Sequence, residues 1–283
     1  MKVSRGLLCA AFLLAGTAAA RAQTPVPLTV SGNEATGSFM LPIGIGADLT
    51  LSFEQVVGLN PAALQATVGL VDPLDLALQA RLPGGVTVPA AFPVLLSIEP
   101  VPSRGLSFSG VVTISLHTHN LNLDSSAPFT LFSASGGGAF RDVTRLVGIG
   151  SYRAEASAGG FSEFLIVADA RPIDTVIASK FDLLEGSLND LGGSVPAELL
   201  SELLTLVSQA RLLWQLGATL PAIIGVTTLM DTLKAQDALV IPDVWRAACD
   251  PADVAGAWRS AAETLRFSLR VKASRSPAFP LSL

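Results

Sequence analysis

Val112-Thr113-Ile114-Ser115-Leu116 alternates strictly between apolar and polar side chains, and this alternation is the strongest structural signal in the N-terminal part of the chain. Successive side chains of a β-strand point to opposite faces, so Val112, Ile114 and Leu116 share one face while Thr113 and Ser115 share the other. A strand with one apolar face is typical of an antiparallel sheet packed on a core. The pattern therefore predicts a β-sandwich.

Similar short runs surround this stretch, each rich in β-branched and aromatic residues and separated by glycine, proline or asparagine. We predict strands over residues 38–42, 48–54, 93–99, 107–116, 129–133, 152–156 and 161–167. Residues 60–81 differ, because Pro61 can open a helical turn and Leu70, Leu74 and Leu78 recur every four residues. A short helical insertion in the sheet is predicted there.

The composition changes near Asp169, where glycine becomes sparse and Leu/Ala stretches at helical spacing begin. We place a domain boundary at residues 168–172, between a sandwich domain at 23–168 and a helical bundle domain at 172–270. Residues 271–283 are predicted to form a flexible tail. The fold class is α+β, with an N-terminal antiparallel β-sandwich and a C-terminal bundle of about four helices.

Proline, glycine and capping residues mark the predicted helix ends. The first helix starts at Pro172 and ends at Gly192-Gly193, the second is capped by Ser194, and the third runs from Pro221 to about residue 236. For the last helix, Asp250 is the predicted cap, Pro251 lies in the first turn and Asp253 follows at the third position.

One segment of the bundle, residues 212–230, contains no charged side chain and approaches the roughly 20 residues of a membrane-spanning helix. Gly217 and Pro221 interrupt it, and a proline inside a helix costs about 3 kcal/mol. A turn over residues 217–221 between two short helices uses both residues where they are favoured. We therefore expect no transmembrane anchor.

The N-terminus carries an export signal. Lys2 and Arg5 precede an uncharged apolar run at residues 6–20, and Ala20-Arg21-Ala22 fits the rule for signal peptidase. We predict that residues 1–22 are a signal peptide, that cleavage occurs before Gln23, and that the mature chain is periplasmic or extracellular.

Export determines how the cysteines and the charge are interpreted. Cys9 leaves with the signal, so Cys249 has no partner and no internal disulfide can form. Loss of Lys2, Arg5 and Arg21 leaves 15 basic residues against 23 acidic ones, a formal charge of −8. Nucleic acid is excluded as a partner on this ground, since a phosphate-binding surface needs clustered Lys and Arg.

The predicted strands at 93–98 and 129–132, the glycine turn at 136–138 and the sequence 160–167 follow one another in a characteristic order. In this order, residues 93–167 resemble the second half of ZU5-type β-sandwich modules. Some modules of that type cut their own backbone between Phe and Ser with help from an adjacent His. The resemblance implies Phe161-Ser162 as the matching bond, but Gly160 stands at the His position. Since a serine hydroxyl without a neighbouring base is a weak nucleophile, we expect an uncut chain.

His117 and His119 are the only histidines, and they lie two residues apart on a predicted strand. Their imidazoles would point to the same side and could chelate one metal ion, although zinc usually takes three or four protein ligands. A solvated strand end is the alternative. No complete catalytic constellation is recognisable, and no catalytic residue and no cofactor are predicted.

The sequence therefore predicts an exported, non-catalytic structural or binding module of the bacterial cell envelope or surface, with an envelope protein or polysaccharide as partner. Two alternatives stay open. One is a metal-binding protein or hydrolase that uses His117 and His119, and the other is self-cleavage at Phe161-Ser162.

Overall fold

The computed structural model describes residues 23–123, 129–148, 150–236, 239–248 and 253–275. The predictions made on residues 1–22, Cys249, Asp250, Pro251 and residues 276–283 fall outside these ranges and are not addressed. The strands, in chain order, are β1 Thr24–Val26, β2 Thr29–Ser31, β3 Glu34–Met40, β4 Gly46–Val57, β5 Leu64–Leu70, β6 Val86–Thr87, β7 Val94–Pro100, β8 Ser107–Leu123, β9 Phe129–Ala134, β10 Arg141–Asp142, β11 Thr144–Gly148, β12 Gly150–Ala158, β13 Glu163–Asp169 and β14 Val244–Arg246.

These strands form two antiparallel sheets of seven strands each, which confirms the predicted α+β class with an N-terminal sheet region. The first sheet has the order β1-β5-β7-β13-β9-β10, with β6 paired to β13. The second has the order β11-β12-β8-β4-β3-β2, with β14 paired to β8.

The main core lies between the two sheets. On β8, Val112, Ile114 and Leu116 are all buried in it, as their alternation predicts. Leu96 on β7 and Phe164 on β13 face them from the first sheet. The predicted strands are found with shifted ends, most visibly at β8, which continues to Leu123.

The helical insertion predicted over residues 60–81 is largely wrong. Strand β5 occupies Leu64–Leu70, and the only helical segment described in this stretch is the single turn α1, Leu76–Gln79. Leu64, Ala66 and Val68 are buried at a spacing of two, which is the period of a strand. Leu70, Leu74 and Leu78 do not form one apolar helix face. Leu74 is exposed, while Leu78 packs in a small core on the outer side of the first sheet.

The described C-terminal residues form four long helices, α2 Ile173–Leu191, α3 Ala197–Gln215, α4 Thr219–Gln236 and α5 Val254–Arg275. They enclose their own core, to which Phe181, Leu203, Val226 and Trp258 contribute. Gly217, in a left-handed conformation with φ 79°, ends α3 as predicted. None of the described helices is both long enough and apolar enough to cross a membrane.

Three helix predictions need correction. Ser194 does not cap α3, because its hydroxyl donates to the carbonyl of Leu191 and Pro196 precedes the helix. Helix α4 begins at Thr219, so Pro221 lies in its first turn. Residues 271–275 belong to α5, since Ala273 is buried against the rest of the molecule, and the bundle therefore extends beyond residue 270.

Helix α5 joins the two parts of the chain, because it packs on β8, β11 and β12 of the second sheet as well as on α2 and α4. The polar face of the second sheet is thus partly covered by protein. Thr113 of β8, for example, is half-buried and accepts a hydrogen bond from Arg145. The site described next lies at this junction.

Candidate functional site

A cleft of about 420 Å³ opens between the sandwich and the bundle. This volume falls in the range of ligand sites, roughly 300–1,000 Å³. One wall comes from β9, β10 and the connection between β12 and β13, and the other from α2 and α5. The residues that line it include Ser133, Ser135, Arg141, Asp142, Ser157, Gly159, Gly160, Phe161, Ser162, Leu183, Ser187, Ala257, Ser260 and Thr264.

Glycines allow α5 to approach the sandwich this closely. A Cβ atom on Gly159 would lie 2.8 Å from the backbone nitrogen of Ala257, and one on Gly256 would lie 2.5 Å from the carbonyl oxygen of Gly110. Real Cβ contacts are longer, so a larger residue at either position would push the helix away from the sheet. The first turn of α5 is therefore fixed to one place on the sandwich.

Polar contacts fix the same end of α5. Asp253 accepts a hydrogen bond from the backbone N–H of Gly256 at 2.7 Å, which is the geometry of an N-cap. One turn later, both guanidinium NH groups of Arg259 donate to the carboxylate of Glu54, at 2.8 and 2.5 Å. Because Arg259 is almost fully buried, this bidentate pair holds the helix in register with β4.

A buried ion pair lies at the side of the cleft. The ammonium group of Lys180 on α2 is 2.8 Å from Asp142 of β10, and it donates to the backbone carbonyl of Thr264 on α5 at 3.1 Å. The two charged side chains are 3% and 6% exposed, so Lys180 connects three elements away from water. Burial lowers the pKa of Lys180, and Asp142 acts against that shift.

Other groups around Asp142 are also held in place. Its second carboxylate oxygen accepts from the backbone N–H of Thr144 at 2.9 Å. Ser157 donates to Glu263 of α5 at 2.5 Å. Burial, with a smaller contribution from Asp142, raises the pKa of the Tyr152 hydroxyl, which therefore stays neutral.

Serine hydroxyls are the most frequent polar side-chain groups in the lining of the cleft. Ser133 and Ser162 hydrogen-bond to each other through their hydroxyls at 2.5 Å. Arg141, the residue that pairs with Ser133 between β10 and β9, is exposed at the rim and is the one cation among the described lining residues. Phe161 adds an apolar wall, supported by ring contacts of 5.2 Å with Trp245 and 5.8 Å with Phe108.

A family model matches residues 8–273 of the chain. The chain belongs to DUF6689, described as a family of unknown function. No curated protein and no solved structure matches it. The DUF6689 match covers both cores and the cleft between them. The resemblance of residues 93–167 to ZU5 modules stays a prediction.

The two histidines lie away from this cleft, on β8. His119 Nε2 is 3.0 Å from Asp48 Oδ2 on β4, and His117 Nδ1 is 3.7 Å from the same oxygen. The strands thus bring both imidazoles to one carboxylate, which supplies a hydrogen-bond or ion-pair partner. Within the described ranges, no group of three or more His, Cys, Asp or Glu side chains is arranged to hold a metal ion.

Ser162, the residue of the suggested self-cleavage, does line the cleft. Its described side-chain partner is the hydroxyl of Ser133, and its carbonyl accepts from the backbone N–H of Ile98 at 3.1 Å. At the position of the missing histidine, Gly160 lies beside Trp245. Phe161 packs among other aromatic rings as a core residue does.

Sequence reasoning missed Arg141, Asp142 and Lys180. Arg141 and Asp142 follow the turn at 136–138 without any motif of their own, and Lys180 stands beside Phe181 at the edge of an apolar stripe. Trp245 stands between two helical stripes in the sequence, but it lies on β14 and stacks on Phe108 at 5.1 Å. No periodic pattern distinguishes a lysine that faces water from one buried against a distant carboxylate.

Proposed function

We propose that this chain is an exported, non-catalytic binding module of the bacterial cell envelope or surface, and that the cleft between sandwich and bundle is its binding site. The proposal is supported above all by the cleft, whose volume of about 420 Å³ lies in the range of ligand sites. It lies between two separately built cores, and serine hydroxyls are the most frequent polar side-chain groups in its lining.

The N-terminal sequence supports export. The basic residues, the apolar run and the Ala20-Arg21-Ala22 site have the order of a cleavable signal. Cleavage before Gln23 would leave every described strand whole, because β1 begins at Thr24 and pairs with β5. Periplasm and extracellular medium are both compatible with this proposal.

The chemistry of the lining favours binding over catalysis. A serine nucleophile needs a base to take its proton. The hydroxyls of Ser133 and Ser162 bond to each other, while Asp142 is engaged by Lys180 and by the backbone. Both imidazoles contact Asp48, on the second sheet and outside the lining of the cleft.

The fixed geometry of the cleft also suits a binding site. Its two walls are connected through the Lys180–Asp142 pair, the Arg259–Glu54 pair and the contact between Gly159 and α5. A site that is already rigid loses less conformational entropy when a ligand binds.

Photo-crosslinking in intact cells of the native organism tests this proposal. A benzophenone amino acid replaces Ser135, an exposed lining residue, or in a control Thr29, an exposed residue of β2 that does not line the cleft. We expect one defined adduct from position 135 and none from position 29. The same variant with Gly160→Val should lose the adduct, because Gly160 lines the cleft and a branched side chain beside Trp245 adds bulk to that wall without a positive φ to strain it.

Equal labelling from both positions, or an adduct that survives Gly160→Val, would contradict the proposed site. Specific turnover by the purified mature protein across a broad substrate panel would contradict the non-catalytic role. Intact mass of the mature chain decides the self-cleavage alternative, since cutting at Phe161-Ser162 would give two fragments.

The convergence of His117 and His119 on Asp48 keeps metal binding as a second candidate function. Stoichiometric zinc or copper in the purified protein, lost in His119→Ala, would establish it. The described cluster offers two imidazoles and one half-exposed carboxylate, so it would be a surface site separate from the cleft.

A further inference from the structure

We propose that the cleft binds an acidic saccharide, with Arg141 pairing with a ligand carboxylate and the serine hydroxyls meeting the ligand hydroxyls. This inference rests on the proposed function, because it names the ligand class of the same site. It follows from the charges, the hydrogen-bonding groups and the shape of the lining.

The charges of the lining leave one unmatched cation. Asp142 is the only carboxylate among the described lining residues. Lys180, which does not line the cleft, forms an ion pair with it at 2.8 Å. Arg141 is exposed at the rim, and no described carboxylate forms an ion pair with it. The mature chain has a formal charge of −8, yet the cleft presents a guanidinium group to the solvent.

A guanidinium group recognises a carboxylate through two parallel N–H···O bonds. A neutral ligand could not use Arg141 in this way, and a ligand with many negative charges would meet the acidic surface of the rest of the protein. One carboxylate on each sugar unit that reaches the rim fits the single cation.

The other polar groups match sugar hydroxyls. A serine hydroxyl is both a donor and an acceptor and rotates to suit its partner, as a sugar hydroxyl does. Five serines besides the partly buried Ser133 line the cleft, namely Ser135, Ser157, Ser162, Ser187 and Ser260. Ser157 is engaged by Glu263, Ser162 bonds to Ser133, and Ser260 donates to the carbonyl of Ala257. Ser135 and Ser187 are the lining serines with no described side-chain hydrogen bond, and the oxygen of Ser260 can still accept one.

The shape of the lining agrees with a ring-shaped ligand. Phe161 offers an apolar wall whose orientation is fixed by Trp245 and Phe108, and the C–H face of a sugar ring can pack on such a wall. Gly160, next to Phe161 in the lining, carries no side chain, whereas Gly159 is covered by α5.

Isothermal titration of the mature protein tests the inference with cellobiouronic acid, a disaccharide that carries one carboxylate, and with cellobiose, its reduced form in which that carboxyl group is an alcohol. We expect the acidic form to bind more tightly than the reduced form, by about 10- to 100-fold, the range of one charge-assisted hydrogen-bonding pair. Arg141→Gln should weaken binding of the acidic form by a similar factor and leave the reduced form unchanged. Arg104→Gln, which removes the same charge from an exposed residue outside the lining, should change neither.

The titrations with the two saccharides and the variants can contradict the inference in two ways. Equal binding of the two forms, or an Arg141→Gln variant that binds like the wild type, overturns the role of Arg141 and the acidic class. Failure of both forms to bind overturns the saccharide proposal altogether. Neither result affects the in-cell adduct from position 135, so a persistent adduct that Gly160→Val removes would keep the proposed binding site while this inference fails.

Discussion

Removal of the buried cation at the junction is the perturbation whose effect follows most directly from the structure. In Lys180→Met, the Asp142 carboxylate stays buried at 6% exposure without its cation, and the carbonyl of Thr264 loses a donor. Breaking a buried pair from one side costs about 3–5 kcal/mol. For a chain of this size that loss corresponds to a decrease in Tm of roughly 6–20 °C.

The double variant Lys180→Met/Asp142→Asn is the matched control. The amide that replaces the Asp142 carboxylate keeps an oxygen that can accept from the backbone N–H of Thr144, while no buried charge remains. We expect the double variant to recover at least about 2 kcal/mol relative to the sum of the single losses, as residues in one network do. Urea unfolding followed by tryptophan fluorescence and by circular dichroism measures each value. Single losses that add to within about 0.5 kcal/mol would refute the direct coupling of the two side chains.

The single variant Asp142→Asn adds a pH test. Burial already lowers the pKa of Lys180 in the folded state, and loss of Asp142 removes contacts that oppose this shift. Between that lowered pKa and the ordinary lysine value, the unfolded chain binds more protons than the folded one. The stability of Asp142→Asn should therefore rise with pH through this window, more steeply than that of the wild type. A flat or falling profile would contradict a buried ammonium group.

Three further predictions concern other contacts. Gly159→Ala should lower the free energy of unfolding by about 1–3 kcal/mol in urea titrations, because the new Cβ would lie 2.8 Å from a backbone nitrogen of α5. The control Gly84→Ala has open space around the new Cβ and should stay within about 0.5 kcal/mol of wild type. The hydrogen bond to Lys272 lowers the pKa of Asp174, so this carboxylate stabilises the fold above the ordinary aspartate pKa and loses that effect as the pH falls through its lowered pKa. Asp174→Asn should therefore reduce the free energy of unfolding by at most about 1 kcal/mol near neutral pH and by little at low pH, as urea unfolding at the two pH values would show. If the cleft and not the histidine pair is the binding site, elemental analysis should find the same metal content, below one ion per chain, in wild type and in His119→Ala, because zinc usually takes three or four protein ligands.

Much of the fold follows from local pattern. The alternation at residues 112–116 and the apolar stripes of the helices report burial directly, and the structure places Val112, Ile114 and Leu184 in cores. The pattern failed at residues 60–81, because leucines spaced by four resemble one face of a helix. Alternation of Leu64, Ala66 and Val68 was the stronger signal, and it belongs to a strand.

The cleft could not be predicted in the same way. It depends on Asp142 meeting Lys180, on Glu54 meeting Arg259 and on glycines at two facing backbones, and each pair is distant in sequence. Buried charge pairs have no periodic signature, and a glycine at a close approach is indistinguishable in sequence from a glycine in a turn. The ZU5 resemblance points to Ser162 for a reaction, whereas its described geometry places it in a wall of hydroxyls.

Export, on which the proposed function depends, is tested by determining the N-terminus and the cellular location of the protein made by its own cells. If the chain is an exported binding module, Edman sequencing or intact mass of the protein recovered from the envelope or the medium will show that it begins at Gln23. A protein that retains Met1 and fractionates with the cytosol would contradict export, and with it the proposed function in the cell envelope.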